Sequence, residues 1–255
     1  MCYDFYKGYI SSLSMFSLYC TFFSYFVVIN ATWIRMLLIW VSSLIRFRNL
    51  TMETNFTMLT IFYMNLINYG AVYVLAPWDS RESSLPVVNS LFSGLYTDYN
   101  AYWFNDVGTL IVSTMVFNMF YPMIEFFGYL AIRVLFRAID QRLLIPSMAP
   151  THTRTKTLQA FQTMYEGPKF LIHWKYAYII NVVYQTMLFG PGLPVLFPVA
   201  LGSIFVLYVT EKLAVAYSYQ KPPMYDSTVN RTTIRLLKIS PVCYVVSAAW
   251  AYSNQ

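Results

Sequence analysis

Charge is scarce in this chain. Of its 255 residues only 11% are charged, where an ordinary soluble domain carries about 25%. Cysteine is scarce too: Cys2, Cys20 and Cys243 form an odd set with no C-x-x-C, which excludes a disulfide framework and a zinc site. The two histidines, His152 and His173, have no histidine or cysteine at ligand spacing, so a haem-type or di-metal site is not indicated. No G-x-G-x-x-G, Walker loop, H-E-x-x-H or G-x-S-x-G occurs. An enzyme therefore has no positive support, and no cofactor is expected.

What is abundant is apolar surface. Hydrophobic residues make up 58% and aromatics 19%, and the mean hydropathy is +0.48. A soluble protein of this length could not hide that much apolar area from water. The apolar runs are long and do not alternate, which excludes a transmembrane barrel. The composition predicts an all-α, polytopic transmembrane helix bundle, a single domain over residues 1–255, with membrane lipids as its surroundings. The net charge of +6 falls in a few interhelical loops, where the positive-inside rule accounts for it. Nucleic acid is not an expected partner.

A spanning helix needs about 20 apolar residues, and six candidates appear, over roughly 11–45, 56–75, 107–135, 170–190, 194–217 and 234–252. The first run is too long for a signal peptide; it reads as a helix from the middle of a larger protein, so the chain is expected to be a fragment. Gly190-Pro191-Gly192-Leu193-Pro194 permits only a tight re-entry, making the fourth and fifth helices an antiparallel hairpin. Residues 79–106 and 141–168 read as long polar loops. The stretch 133–175 holds seven basic residues and two acids, whereas 79–106 holds four acids and only Arg81. The basic loops are expected to be cytoplasmic, and that assignment alternates without conflict across six helices. On it, the N-x-S/T triplets at Asn30, Asn49, Asn55 and Asn230 lie in the membrane or cytosol and are not glycosylation sites. No internal repeat of the inverted-transporter kind is visible.

Polar residues at bilayer depth mark function by default. Arg35 lies in the first helix, Glu125 in the third and Glu211 near the end of the fifth; Asn30, Asn65, Asn68, Asn118, Asn181 and Gln185 add amides. Asn118 and Glu125 are seven residues apart and share a helix face, as do Asn65 with Asn68 and Asn181 with Gln185. Such stripes suit a hydrated pathway, because fixed dipoles must replace an ion's hydration shell. The competing readings are interhelical glue for the amides, snorkelling for Arg35 and Glu211, and one half of a structural ion pair for Glu125.

Several segments resemble the OSCA, anoctamin and TMC superfamily. They are V-V-I-N (27–30), R-F-R-N-L-T-M-E-T-N-F-T (46–57), I-F-Y-M-N-L-I-N-Y (61–69), D-V-G-T-L-I-V-S-T-M-V-F-N-M-F-Y-P-M-I-E (106–125), F-G-P-G-L-P-V-L-F-P-V-A (189–200) and Y-V-T-E-K-L-A-V-A-Y (208–217). The resemblance implies a pore or groove built from the first five helices, lined by Asn30, Asn65, Asn68, Asn118, Glu125, Asn181 and Gln185. Family members conduct ions, often under membrane tension, or pass lipid headgroups between leaflets. Calcium-gated members hold Ca²⁺ with acids on three consecutive helices. Here only Asn118, Glu125 and Glu211 match, and the fourth helix has no acid; calcium binding needs about six to eight oxygens, so calcium gating is not expected.

The favoured reading is a tension-gated cation channel of the OSCA-like branch, permeable to inorganic cations including calcium. Pro122 and Gly128 are the bending elements of its third helix. It would reside in the plasma membrane or an intracellular membrane as a monomer or homodimer. A phospholipid scramblase on the same fold, a non-transporting subunit of an organellar complex and a secondary transporter are the alternatives.

Overall fold

A computed structural model describes residues 47–71, 101–140, 156–221 and 223–253, with single positions between 37 and 45. Most of the run 11–45, including Asn30 and Arg35, lies outside the described residues, as do 72–100 and 141–155 of the two long connections. Every regular element among the described residues is helical. Helix α1 is Leu50–Asn65, continued by a π-helical turn over Leu66–Ala71. Helix α2 is Ala101–Asp140, with a π-helical turn over Phe104–Gly108. Then come α3 (Leu158–Tyr165), α4 (Ile172–Phe189), α5 (Leu196–Tyr217) and α6 (Thr228–Ser253).

Several boundaries differ from the sequence expectation. Residues 101–106 and 228–233 are helix rather than loop, and α3 forms inside a connection read as irregular. Apolar content sets the length of a membrane run, but a helix continues past it until its backbone groups find other partners. At 40 residues, α2 measures about 60 Å, roughly twice a bilayer core.

Helix α4 sits at the centre. It contributes Val182 and Phe189 to one core cluster, with Trp103, Val107, Ile111 and Met115 of α2 and Leu196 and Ala200 of α5. Ala177, Ile180 and Tyr184 on its other side join Met58, Ile61 and Phe62 of α1 and Val229 of α6. So α2 and α5 cover one flank of α4, and α1 and α6 the other. On α5 the buried residues Ala200, Ser203, Leu207, Thr210 and Ala214 recur at steps of three and four. All but Leu207 are small, which lets the neighbouring backbones approach; helices associate this way without a hydrophobic drive from water. At Gly202 a Cβ would stand 2.7 Å from Met119 Sδ of α2.

The α4–α5 turn needs its glycines for the same reason. A Cβ at Gly192 would stand 2.8 Å from the Phe104 ring, and one at Gly190 would strike the Thr186 carbonyl. The turn is further held by Tyr252, whose hydroxyl donates to the Pro191 carbonyl at 3.1 Å.

The outer faces carry the opposite chemistry. Phe117, Ile124 and Phe127 on α2, Leu201, Phe205 and Tyr208 on α5, and Val242, Val245 and Val246 on α6 are all exposed. A monomer in water does not sustain so wide an apolar surface. Three helices, α2, α5 and α6, are long and apolar enough to cross a bilayer, so the chain is a membrane protein. The sequence predicts six spans; these three match its third, fifth and sixth, while most of the first and the end of the second lie outside the described residues. Helix α4 turns Asn181, Gln185 and Thr186 inward, where they are buried. Its 18 residues reach only about 27 Å.

Candidate functional site

Pro122 lies buried within α2. Proline has no N–H, so the carbonyl four residues earlier, that of Asn118, loses its intrahelical donor. In hydrocarbon such a group needs a substitute. Tyr178 of α4 supplies one: its hydroxyl donates to the Asn118 carbonyl at 2.7 Å. Helix α6 resolves the same problem locally. Pro241 leaves the Leu237 carbonyl unmet, and the Ser240 hydroxyl donates to it at 2.8 Å.

One turn before Tyr178, on the same face of α4, stands Lys175. Its ammonium lies 2.7 Å from Glu211 Oε1 of α5 and 3.1 Å from Glu125 Oε2 of α2. All three side chains are largely buried. Lys175 and Tyr178 therefore grip α2 on both sides of Pro122, four residues before it and three after. The cluster joins three helices, and its two carboxylates around one ammonium leave one negative charge in excess. Glu211 Oε2 is buried without a hydrogen-bond partner, so that charge is not fully answered by the protein.

Beyond this cluster polar contacts tie the ends of α2 and α5 to each other and to residues 165–168 at the end of α3. Arg133 donates to the Ser218 carbonyl and hydroxyl, both at 3.2 Å. Arg137 donates to the Tyr165 carbonyl at 2.9 Å and stacks over the Tyr165 ring. Gln220 donates through its side chain to the Gly167 carbonyl at 2.5 Å and through its backbone to the Pro168 carbonyl at 3.2 Å.

The residues singled out in the sequence are distributed as follows. Asn118, Pro122 and Glu125 fall on one stripe with Ile111 and Met115, at steps of four and three, facing α4 and α5. It is the backbone carbonyl of Asn118 that Tyr178 engages. Asn181 and Gln185 are both buried on α4, and Asn181 Nδ2 has no hydrogen-bond partner. Asn65 closes α1 and Asn68 lies in the following π turn, both half-buried. Their relative register is thus set by i→i+5 bonding rather than by the 3.6-residue repeat. A Cβ at Gly128 would meet nothing within 4 Å. Asn30 lies outside the described residues.

Among Asn118, Glu125 and Glu211, the two acids meet, but around the Lys175 ammonium, while Asn118 stands two turns from Glu125. Among the described residues no three His, Cys, Asp or Glu side chains gather as a metal-holding group. Lys175 is the residue that sequence reasoning missed, because it counts as the last cation of a basic loop. Charge balance was the available signal: two acids within apolar helices need a cation, and Lys175 opens the helix between them in the chain. The site rests on its own geometry, since no family model, curated protein or solved structure matches this chain.

Proposed function

We propose that this chain forms the pore-bearing helices of an OSCA-like, tension-gated cation channel. The reading takes six spanning helices, with the basic connections on the cytoplasmic side. The observation that carries it is the Glu125–Lys175–Glu211 cluster beside Pro122. A helix with a proline in mid-span bends readily there, and the Pro122 turn of α2 is held by contacts to a different helix. Stretching a membrane favours whichever conformer has the larger in-plane area. Tilting α2 away from α4 about Pro122 enlarges that area and costs the Tyr178 hydrogen bond and the Lys175–Glu125 contact. The same movement bares the Glu125 and Glu211 carboxylates, and a ring of carboxylates favours cations over anions. Lys175 then acts as a tethered cation whose withdrawal admits mobile ones. The sequence resemblance supports the same reading, and nothing in the geometry favours the scramblase over it.

Pressure-clamped patch recording in cells lacking their own stretch-activated channels tests it, with the full-length protein at the surface. The expected result is a stretch-evoked cation current that Glu125→Gln reduces and that Tyr178→Phe evokes at lower pressure. A stretch current indifferent to both substitutions removes this cluster from the pore. No current from surface-expressed protein overturns the channel reading and turns attention to lipid scrambling or a structural subunit.

A further inference from the structure

Helix α3 is not needed to complete either core cluster, yet it is well formed. Thr157 caps it, accepting from the Ala160 N–H at 3.3 Å. Its sequence, Leu158-Gln-Ala-Phe161-Gln-Thr-Met164-Tyr165, sets Leu158, Phe161, Met164 and Tyr165 on one face and Gln159 and Thr163 on the other, with Gln162 at the border beside Leu158. Phe161 and Tyr165 stack with centroids 4.4 Å apart, while Leu158 is 83% exposed. The helix cannot drift from the bundle. Arg137 binds its last carbonyl-bearing residue, Tyr165, and Gln220 binds Gly167 and Pro168 just beyond. It is therefore moored at the ends of α2 and α5, whose outer faces are apolar and lipid-facing. Exposed Lys156 and Lys169 flank it, with one exposed acid, Glu166, at its end, and the sequence adds Arg154. A short helix with aromatic and aliphatic residues on one face, polar residues on the other and lysines beside it has the composition of an interfacial helix.

We infer that α3 lies in the headgroup region of the adjoining leaflet, its Leu158–Phe161 face in the acyl boundary and its flanking lysines toward anionic lipid. The occupant of this face is the bilayer, because α3 is moored at the ends of two helices whose outer faces meet lipid and the flanking charge, basic on balance, complements anionic headgroups. The placement depends on the chain spanning a membrane and not on ion conduction. It is tested with the full chain in nanodiscs, using Leu158→Cys or Thr163→Cys labelled with bimane in a background where the three native cysteines are serine. Lipids brominated near the top of the acyl chain serve as quencher, with and without phosphatidylserine. The expected result is at least twofold stronger quenching at position 158 than at 163. Phosphatidylserine should increase it, and Lys156→Gln with Lys169→Gln should abolish that increase. Equal, weak quenching with solvent-like emission at both positions overturns the inference. Blue-shifted emission at 158 without lipid quenching overturns it as well, and assigns the face to a protein neighbour. Both positions are exposed, so neither label disturbs packing.

Discussion

Replacing Lys175 by Met probes the central cluster most directly. The ammonium contacts Glu211 at 2.7 Å and Glu125 at 3.1 Å, and the three side chains are 15%, 17% and 29% exposed. Removing it leaves two carboxylates whose facing oxygens are no more than about 6 Å apart, with a repulsion at an effective dielectric of 20 of at least about 3 kcal/mol. Loss of one partner from a buried ion pair typically costs 3–5 kcal/mol, so both routes give a destabilisation of about 3–4 kcal/mol. Glu211→Gln should cost less, because Lys175 and Glu125 remain as a neutral pair. Combining Lys175→Met with Glu125→Gln and Glu211→Gln should restore most of the loss, since no uncompensated charge remains. Unfolding in mixed micelles, followed by tryptophan fluorescence, measures all three. If Lys175→Met gives too little folded protein, the recovery of folded yield in the triple variant reads the same energetics. The reasoning is refuted if Lys175→Met unfolds within about 0.5 kcal/mol of the parent, the ordinary spread of surface substitutions, or if the triple variant is no better than Lys175→Met.

Tyr178→Phe should cost about 1 kcal/mol, because hydrogen bonds within membrane bundles contribute less than burial suggests; an unchanged unfolding midpoint refutes the claim that Tyr178 serves the proline-orphaned carbonyl. At Gly202, Ala is expected to be tolerated as the Met119 thioether swings aside, whereas Leu should cost about 1–3 kcal/mol by overpacking α2 against α5. At Gly128, with open space around a Cβ, Ala should stabilise the helix by about 1 kcal/mol; an unchanged gating threshold in that variant would remove Gly128 as a hinge. Asp226, in the connection before α6, accepts from the Thr228 hydroxyl and the Ser227 N–H, both at 2.7 Å, and these hold its carboxyl below the usual carboxylate range. A depressed folded value contributes stability above the unfolded value that is lost as pH falls through the folded one, so Thr228→Val should raise the carboxyl's titration midpoint, read by carbonyl NMR.

The membrane character, the helical class and the hairpin at Gly190–Pro194 follow from composition and local chemistry. They rest on apolar run length and on turn residues, which one strand of sequence contains in full. The shared face of Asn118 and Glu125 was likewise legible, because helical periodicity alone puts residues seven apart together. Helix α3 was not read, since eight residues flanked by polar sequence give too little apolar periodicity to separate helix from loop.

The partners of those residues belong to the tertiary structure. Nothing near Pro122 in the sequence says that its orphaned carbonyl is met by Tyr178, 60 residues away from Asn118. Equally, nothing near Lys175 says that it answers two acids on other helices rather than a basic loop's aqueous surroundings. Periodicity fixes which side chains share a face; only the packing of α2 and α5 against α4 decides what that face meets. The sequence by itself therefore determined that this is a helical membrane protein. The tertiary structure decided which of its few charges stand together, because Coulomb and hydrogen-bond energies depend on distance in space and not along the chain.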